Sequence, residues 1–254
     1  MCETVAITFG DAGENHVGMQ KVGSIADSGF TREDLMCAKK FFEDRCCKCE
    51  WVDLGRDENA AVLIIRDGVE CLLGLENGAD LLYEEQCSFE RDTKAFMYGR
   101  VVNKHARHNV CFGETAQEPD YEQKKGRIMA FKDLPYLDML RSQIEECMGE
   151  KGKGMIAEGN YYYDSTKCGI GYHGDAERRR VIACKLASNP KEKMYLHYQW
   201  FKDGEPVGEN TRLTLYHGDI YIMGEKAVGW DWKKKSIYTL RHAAGCAKFT
   251  DVTK

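Results

Sequence analysis

Proline is scarce, with four in 254 residues, and no uninterrupted apolar run approaches the roughly 18 residues of a membrane-spanning helix. With 43% hydrophobic and 30% charged residues, the first scarcity excludes wholesale disorder, and the second predicts no membrane contact. Excess positive charge is also missing. Lysine and arginine total 36 against 41 acidic residues, so a net charge of −5 creates no global field toward nucleic acid or anionic membrane. A polyanion partner must therefore be held by a local basic patch. The start, MCETVAITFGDAGENH, lacks the basic and apolar regions of a secretory signal, which predicts a soluble, intracellular protein of cytoplasm or nucleus. Gly10, Gly13 and Gly18 form neither GxGxxG nor a Walker pattern, so no nucleotide loop is expected.

What is present is an ordinary globular balance, long enough for one large domain or two unequal ones. Twelve cysteines in a chain of this length without an export signal predict reduced thiols rather than a disulfide scaffold. Cys37, Cys46, Cys47 and Cys49 do not make two CxxC knuckles and have no histidine close by, so buried or surface thiols are expected there rather than zinc.

Residues 32 to 45 place Leu35, Met36, Phe41 and Phe42 near helical spacing behind Thr31, a candidate N-cap. The run from Ala60 opens as a strand ending near Ile65, and the segment to Leu82 reads as a short helix interrupted by Gly78. Residues 1–87 thus form an α/β N-terminal region without an assigned chemistry. Residues 88–254 change to short strands and turns, with one helix, Tyr136 to Met148, introduced by Leu134 and Pro135. RRVIACKLA, KMYLHYQWFKDG, TRLTLYHGDIYIMG and KSIYTLRHA follow in series, which predicts an α+β protein with a β-sandwich or jelly-roll core.

The segment from Asn160 to Arg180, NYYYDSTKCGIGYHGDAERRR, sets His173 and Asp175 two positions apart, where a strand projects both to one face. An imidazole and a carboxylate make two thirds of the facial triad that binds ferrous iron. Of seven histidines, His242 in LRHAAG lies late enough for intervening strands to return it beside this motif. His197 reads more simply as a strand residue and His217 as a turn residue.

Four pieces in order resemble the AlkB-like branch of the iron(II) and 2-oxoglutarate dependent dioxygenases. ARHNVCFG, from Ala106 to Gly113, is similar to a nucleotide-recognition loop. NYYYDSTKCGIGYHGDAER resembles Asn-x-Tyr followed by His-x-Asp and an acidic residue. LTLYHGDIYIMG, from Leu213 to Gly224, is similar to the strand-turn-strand with an HGD-like turn, and LRHAAG closes the domain. Together they span about residues 100 to 250 and do not reach residues 1–87. The resemblance implies a double-stranded β-helix (jelly roll) catalytic core with flanking helices. It implies that His173, Asp175 and His242 bind Fe(II), that Asn160 and Tyr162 contact 2-oxoglutarate, that O2 is consumed, and that Glu177 faces the substrate.

The tail departs from the family pattern, which has a histidine about a dozen residues after the HGD-like turn and then two arginines six apart. Two registers remain. In the favoured one GWDWKKK is an inserted loop, His242 ligates iron, and Lys248 with Thr250 grips the far carboxylate of 2-oxoglutarate. In the other, Lys235 and Arg241 replace the two arginines and His242 points away. Parity separates them, since 235 and 241 share a strand face and 242 takes the opposite one.

Lys104, Arg107, Arg178, Arg179, Arg180, Lys233, Lys234 and Lys235 are expected to form a local phosphate track at the pocket mouth. Trp230, Trp232, His108 and Phe112 are candidates for stacking on a base, whereas Trp200 reads as core. The expected activity is oxidative demethylation or hydroxylation, with a modified nucleobase in DNA or RNA as leading substrate. Protein or small-molecule hydroxylation, and a catalytically degenerate nucleic-acid-binding module, stay open as alternatives.

Overall fold

In the computed structural model, which describes residues 3–252, three strands open the chain: β1 (Thr4–Gly10), β2 (Ala12–Glu14) and β3 (Lys21–Gly23). Helix α1 (Arg32–Glu43) follows. Its first turn is fixed by a reciprocal cap, Thr31 Oγ1 accepting from the Asp34 N–H at 3.3 Å and Asp34 Oδ2 from the Thr31 N–H at 2.7 Å. Leu35, Ala38 and Phe42 form its buried side, while Met36 is exposed.

Strands β4 (Cys49–Asp53) and β5 (Ala61–Ile65) lead into helices α2 (Gly68–Leu73) and α3 (Gly78–Cys87). The break between these helices falls at Gly74, whose φ of 64° needs no Cβ, and Gly78 starts the second helix rather than interrupting one. Next come the hairpin β6 (Lys94–Met97) and β7 (Arg100–Asn103), then β8 (His108–Gly113), β9 (Ile128–Ala130) and α4 (Pro135–Met148). Strands β10 (Ile156–Tyr162), β11 (Gly169–His173), β12 (Val181–Ala187), β13 (Met194–Lys202), β14 (Glu205–Leu215) and β15 (Ile220–Met223) follow. Helix α5 (Glu225–Val228), β16 (Thr239–Gly245) and α6 (Ala247–Thr250) complete the series.

The result is a mixed α and β fold in which strands dominate. A large sheet has the order β4-β5-β15-β12-β1-β10-β8-β9 and a small one the order β11-β16-β13-β14. From β10 onward, successive strands fall in the large, small, large, small, small, large and small sheets. Alternation along each strand divides the core in two. Val5, Ile7 and Phe9 of β1, with Ile182 and Cys184 of β12, face the layer of α1 to α4. Ala6, Val181, Ala183 and Tyr221 face Leu196, Leu213, Leu240 and Ala244 of the small sheet. Trp200 is core as expected, its indole N–H donating to the Leu54 carbonyl at 2.7 Å.

Three expectations need correction. The boundary after residue 87 is crossed by the large sheet, because β1 lies between β10 and β12 and β5 pairs with β15. Cys47 and Cys71 form a disulfide, so the expectation of reduced thiols fails for that pair. Phe112 is fully buried in the outer core against Phe89 and cannot stack on a base. No helix among the described residues is long and apolar enough to cross a membrane.

Because Phe112 has no exposed surface, Phe112→Ala is expected to lower unfolding free energy by about 3–5 kcal/mol. Urea unfolding followed by circular dichroism checks this; a loss below 1 kcal/mol would mean that the outer core is not packed as described.

Candidate metal centre

Strand β11 ends at His173, which the register sets opposite His242 of β16 after a bulge beyond Ile170. The two rings lie 4.5 Å apart at 63°. Asp175 follows in a turn whose backbone N–H donates to the Val228 carbonyl at 3.0 Å. Gly174 makes that turn possible: a Cβ there would stand 2.0 Å from the Gly229 carbonyl oxygen. Gly229 in turn adopts φ 73°, the left-handed region that favours glycine.

The ligand atoms of His173, Asp175 and His242 lie within 4.8 Å of one another, the one such metal-sized grouping of histidine, cysteine, aspartate or glutamate among the described residues. His173 Nε2 and His242 Nε2 are 3.5 and 3.6 Å from Asp175 Oδ1. His173 Nδ1 is 2.8 Å from the Gly171 carbonyl, which holds the proton on Nδ1 and leaves Nε2 to ligate. His242 is buried, and burial, together with His173, pulls its pKa down against the attraction of Asp175. Its neutral, ligating form is thereby favoured. Burial alone would neutralise Asp175, but Arg178 and the two imidazoles hold its carboxyl well below the usual range. Two imidazoles and one carboxylate on one side of a cation suit a divalent transition metal with open positions.

Arg178 organises the acids around this centre. Its Nη2 donates to Glu158 Oε2 at 2.6 Å and Glu177 Oε1 at 3.1 Å, and its Nε lies 3.6 Å from Asp175 Oδ2. Glu177 has its pKa raised by burial and by Asp175. Behind Glu158, Asn109 donates to it at 3.1 Å, and the Lys104 ammonium donates to Asn109 and Asn15 at 3.2 and 2.6 Å. Burial pulls Lys104 down to about 8.

The triad borders a cavity of about 380 Å³ between the sheets. Asn160 and Tyr162 line it from β10, joined by Glu177, Arg178, Arg107 and Trp232. Other expected residues lie elsewhere. Arg241 occupies the opposite face of β16, with its guanidinium 4.0 Å from the Phe201 ring centroid. Lys248 and Thr250 sit on α6 outside the cavity lining, and Trp230 is also outside it, capped by Arg179 at 4.0 Å. The assignment of Lys248, Thr250 or Arg241 to a carboxylate in this cavity is therefore corrected: the strand parity that turns His242 inward turns Arg241 out, and α6 lies past the end of β16. The basic track is reduced as well. Lys104 is buried, Arg179 is bound to the Asp27 carbonyl and Glu225, and Arg180 to the Ser28 and Lys151 carbonyls. His197 pairs with Asn210 and His217 accepts from the Ala187 N–H, both away from the triad.

Sequence reasoning missed Glu14, His16, Lys21 and Glu158, which also line the cavity. Glu158 was within reach, since Glu158, Asn160 and Tyr162 alternate on one strand face. His16 and Lys21 carry no such local signal, because β1 delivers their hairpin to the site from far away in sequence.

No family model matches the chain. An uncharacterized protein of Acanthamoeba polyphaga mimivirus is 48% identical to it over an alignment of 256 positions, covering 97% of each chain.

Two outcomes are expected. Gly174→Ala should weaken cobalt(II) binding by roughly 10- to 100-fold in an anaerobic titration without lowering the unfolding midpoint comparably, because it displaces two ligands on one turn. The folded pKa of Lys104, about 8, lies below its ordinary 10.5, so the folded chain binds fewer protons between those values. Stability should accordingly gain a component as pH rises through that window, and the penalty is fully present below pH 8. Urea midpoints at pH 7.5 and 10 should show the gain in the native protein and its absence in Lys104→Met.

Proposed function

The chain belongs to one family with that mimivirus protein, and from the geometry of its candidate metal centre we propose that it is an iron(II)- and 2-oxoglutarate-dependent dioxygenase of the AlkB-like kind. The observation that carries this reading is the His173, Asp175 and His242 set on the wall of an open cavity, with all three ligand atoms within reach of one ion. The winding of β10 to β16 between two facing sheets supports a jelly-roll core, with β1 between β12 and β10 where an eighth strand would stand.

Bound iron with 2-oxoglutarate supplies oxidation of a substrate C–H bond by O2, coupled to release of succinate and carbon dioxide; where the oxidised carbon is on nitrogen, the hydroxymethyl group leaves as formaldehyde. The protein's own part is positioning. Asn160 Oδ1 accepts from Arg107 Nε and Asn109 Nδ2, both at 2.6 Å, which fixes the amide and leaves its NH2 to donate toward the cavity. Tyr162 adds a hydroxyl from the same strand face, and two such donors suit an acidic co-substrate.

The substrate side is acidic. Glu14, Glu158 and Glu177 line the cavity beside Asp175; Glu177, whose pKa is raised by burial and by Asp175, is a hydrogen-bond donor when protonated and a partner for positive charge when ionised. An N-alkylated, cationic nucleobase, single-stranded or flipped out, matches this lining better than a neutral aliphatic side chain. Trp232 offers a ring for stacking, and Arg107, Lys21 and Lys233 offer charge for phosphates. The assembled triad weighs against a catalytically degenerate binding module.

Anaerobic iron(II) with 2-oxoglutarate is expected to give a weak visible charge-transfer band that His242→Ala abolishes and Lys235→Ala retains. The reverse pattern sinks the reading. With O2 admitted, succinate should form in proportion to loss of 2-oxoglutarate, and N-methylated oligonucleotides should raise the rate.

A further inference from the structure

Strand β11 carries a metal ligand on the least supported part of the small sheet. It lies at the sheet edge and pairs with β16 through Gly169, Ile170 and His173, with a bulge between the last two. Ladder hydrogen bonds hold an edge strand on one side alone, and a bulge removes part of that ladder. The strand must nevertheless keep the His173 imidazole beside Asp175 and His242.

The same bulge decides where the neighbours of His173 point. Ile170 and His173 both line the cavity, although strict alternation would put them on opposite faces. The irregularity reverses the parity, so Tyr172 turns to the outer face. There its ring centroid lies 6.0 Å from that of Phe201, and its hydroxyl donates to the Thr250 carbonyl at 3.2 Å while accepting from Asn210 Nδ2 at 2.6 Å. Asn210 is itself fixed, because its amide also donates to the Tyr198 carbonyl at 3.2 Å and its Oδ1 is 2.9 Å from His197 Nδ1. One hydroxyl thus ties the edge strand to β14, at the far side of the same sheet, and to α6.

Helix α6 closes over this outer face. A Cβ on Gly169 would stand 2.4 Å from Phe249 Cδ2, so the Phe249 ring occupies the space that a side chain on β11 would fill. Gly171 is next along that path, where a Cβ would meet the Phe249 carbonyl oxygen at 3.8 Å. The return begins at Gly245, whose φ of 106° suits glycine, and the Cys246 N–H donates to the Cys168 carbonyl at 3.0 Å. Residues 245–250 therefore fold back across the strand that β16 has just paired with.

We propose that Tyr172 and Phe249 are positioning residues, a clasp on the outer face of the small sheet that holds His173 at the metal. This rests on the metal-centre part of the dioxygenase reading. It also gives the tail a role different from the one its sequence suggests: Lys248 and Thr250 belong to a segment that acts on the centre from outside, through β11, and not on a carboxylate within the cavity.

Anaerobic cobalt(II) titration, read by visible absorption, compares the native protein with three variants. Tyr172→Phe keeps the ring and removes only the hydroxyl, Phe249→Ala empties the seat on Gly169, and Phe249→Leu keeps that seat filled. The first two are expected to bind cobalt(II) roughly 10-fold more weakly, as for groups that orient a metal ligand. Amide exchange of residues 169–173 should quicken in the metal-free form of both, and Phe249→Leu should keep native affinity. A role in stability alone would lower the urea midpoint and leave the cobalt(II) affinity of the folded protein unchanged. That result, or native affinity in either of the first two variants, overturns the clasp while leaving the metal centre standing; should Phe249→Ala fail to fold, Tyr172→Phe decides alone. A native protein that binds no cobalt(II) overturns both the clasp and the reading on which it rests.

Discussion

The register that sets His173 of β11 opposite His242 of β16 is the constraint on which the site depends. Strand side chains alternate, so a slip of one residue would turn His242 out of the cavity and bring Arg241 or Ala243 in. That register is held from both sides. Leu240 and Ala244 are fixed in the inner core with His242, while β13 pairs along β16 from Leu196 to Phe201. Apolar packing on the rungs above and below thus decides where an imidazole points.

Electrostatics supply the second support. A buried guanidinium is surrounded by Asp175, Glu158 and Glu177, and removing it would leave several acids close together in a dry space. Arg178 therefore keeps Asp175 ionised without occupying its outer coordination side. The cluster extends through Asn109 to Lys104 and Asp92, which joins the centre to the loop carrying Asn15 and His16. The hairpin at the cavity mouth and the ligands within it are consequently parts of one hydrogen-bonded assembly.

Much of the centre was legible because its logic is local. His173 and Asp175 share a turn, Asn160 and Tyr162 share a strand face, and parity separates His242 from Arg241. Helix α1 was equally readable from Thr31 and the spacing of Leu35 and Phe42. What could not be read depends on partners distant in sequence. The large sheet takes β1 between β10 and β12, a choice invisible in TVAITFG itself. Lys248 and Thr250 looked suitable by type and order, but the chain turns into α6 beyond the cavity. The basic runs misled for a different reason: Arg179 and Arg180 are spent on loop carbonyls, a use of arginine that composition does not distinguish from binding phosphate.

The central position of β1 also shapes how this molecule must come together. Residues 4–10 leave the ribosome long before residues 156–162 and 181–187, which will flank them on both edges. Until those arrive, an apolar strand has no neighbour, and the sheet cannot close by adding hairpins in order. Such distant pairing slows folding and prolongs exposure of sticky edges. Assembly is thus gated by the synthesis of β12, which leaves one edge of the earliest strand unpaired until most of the chain has been made.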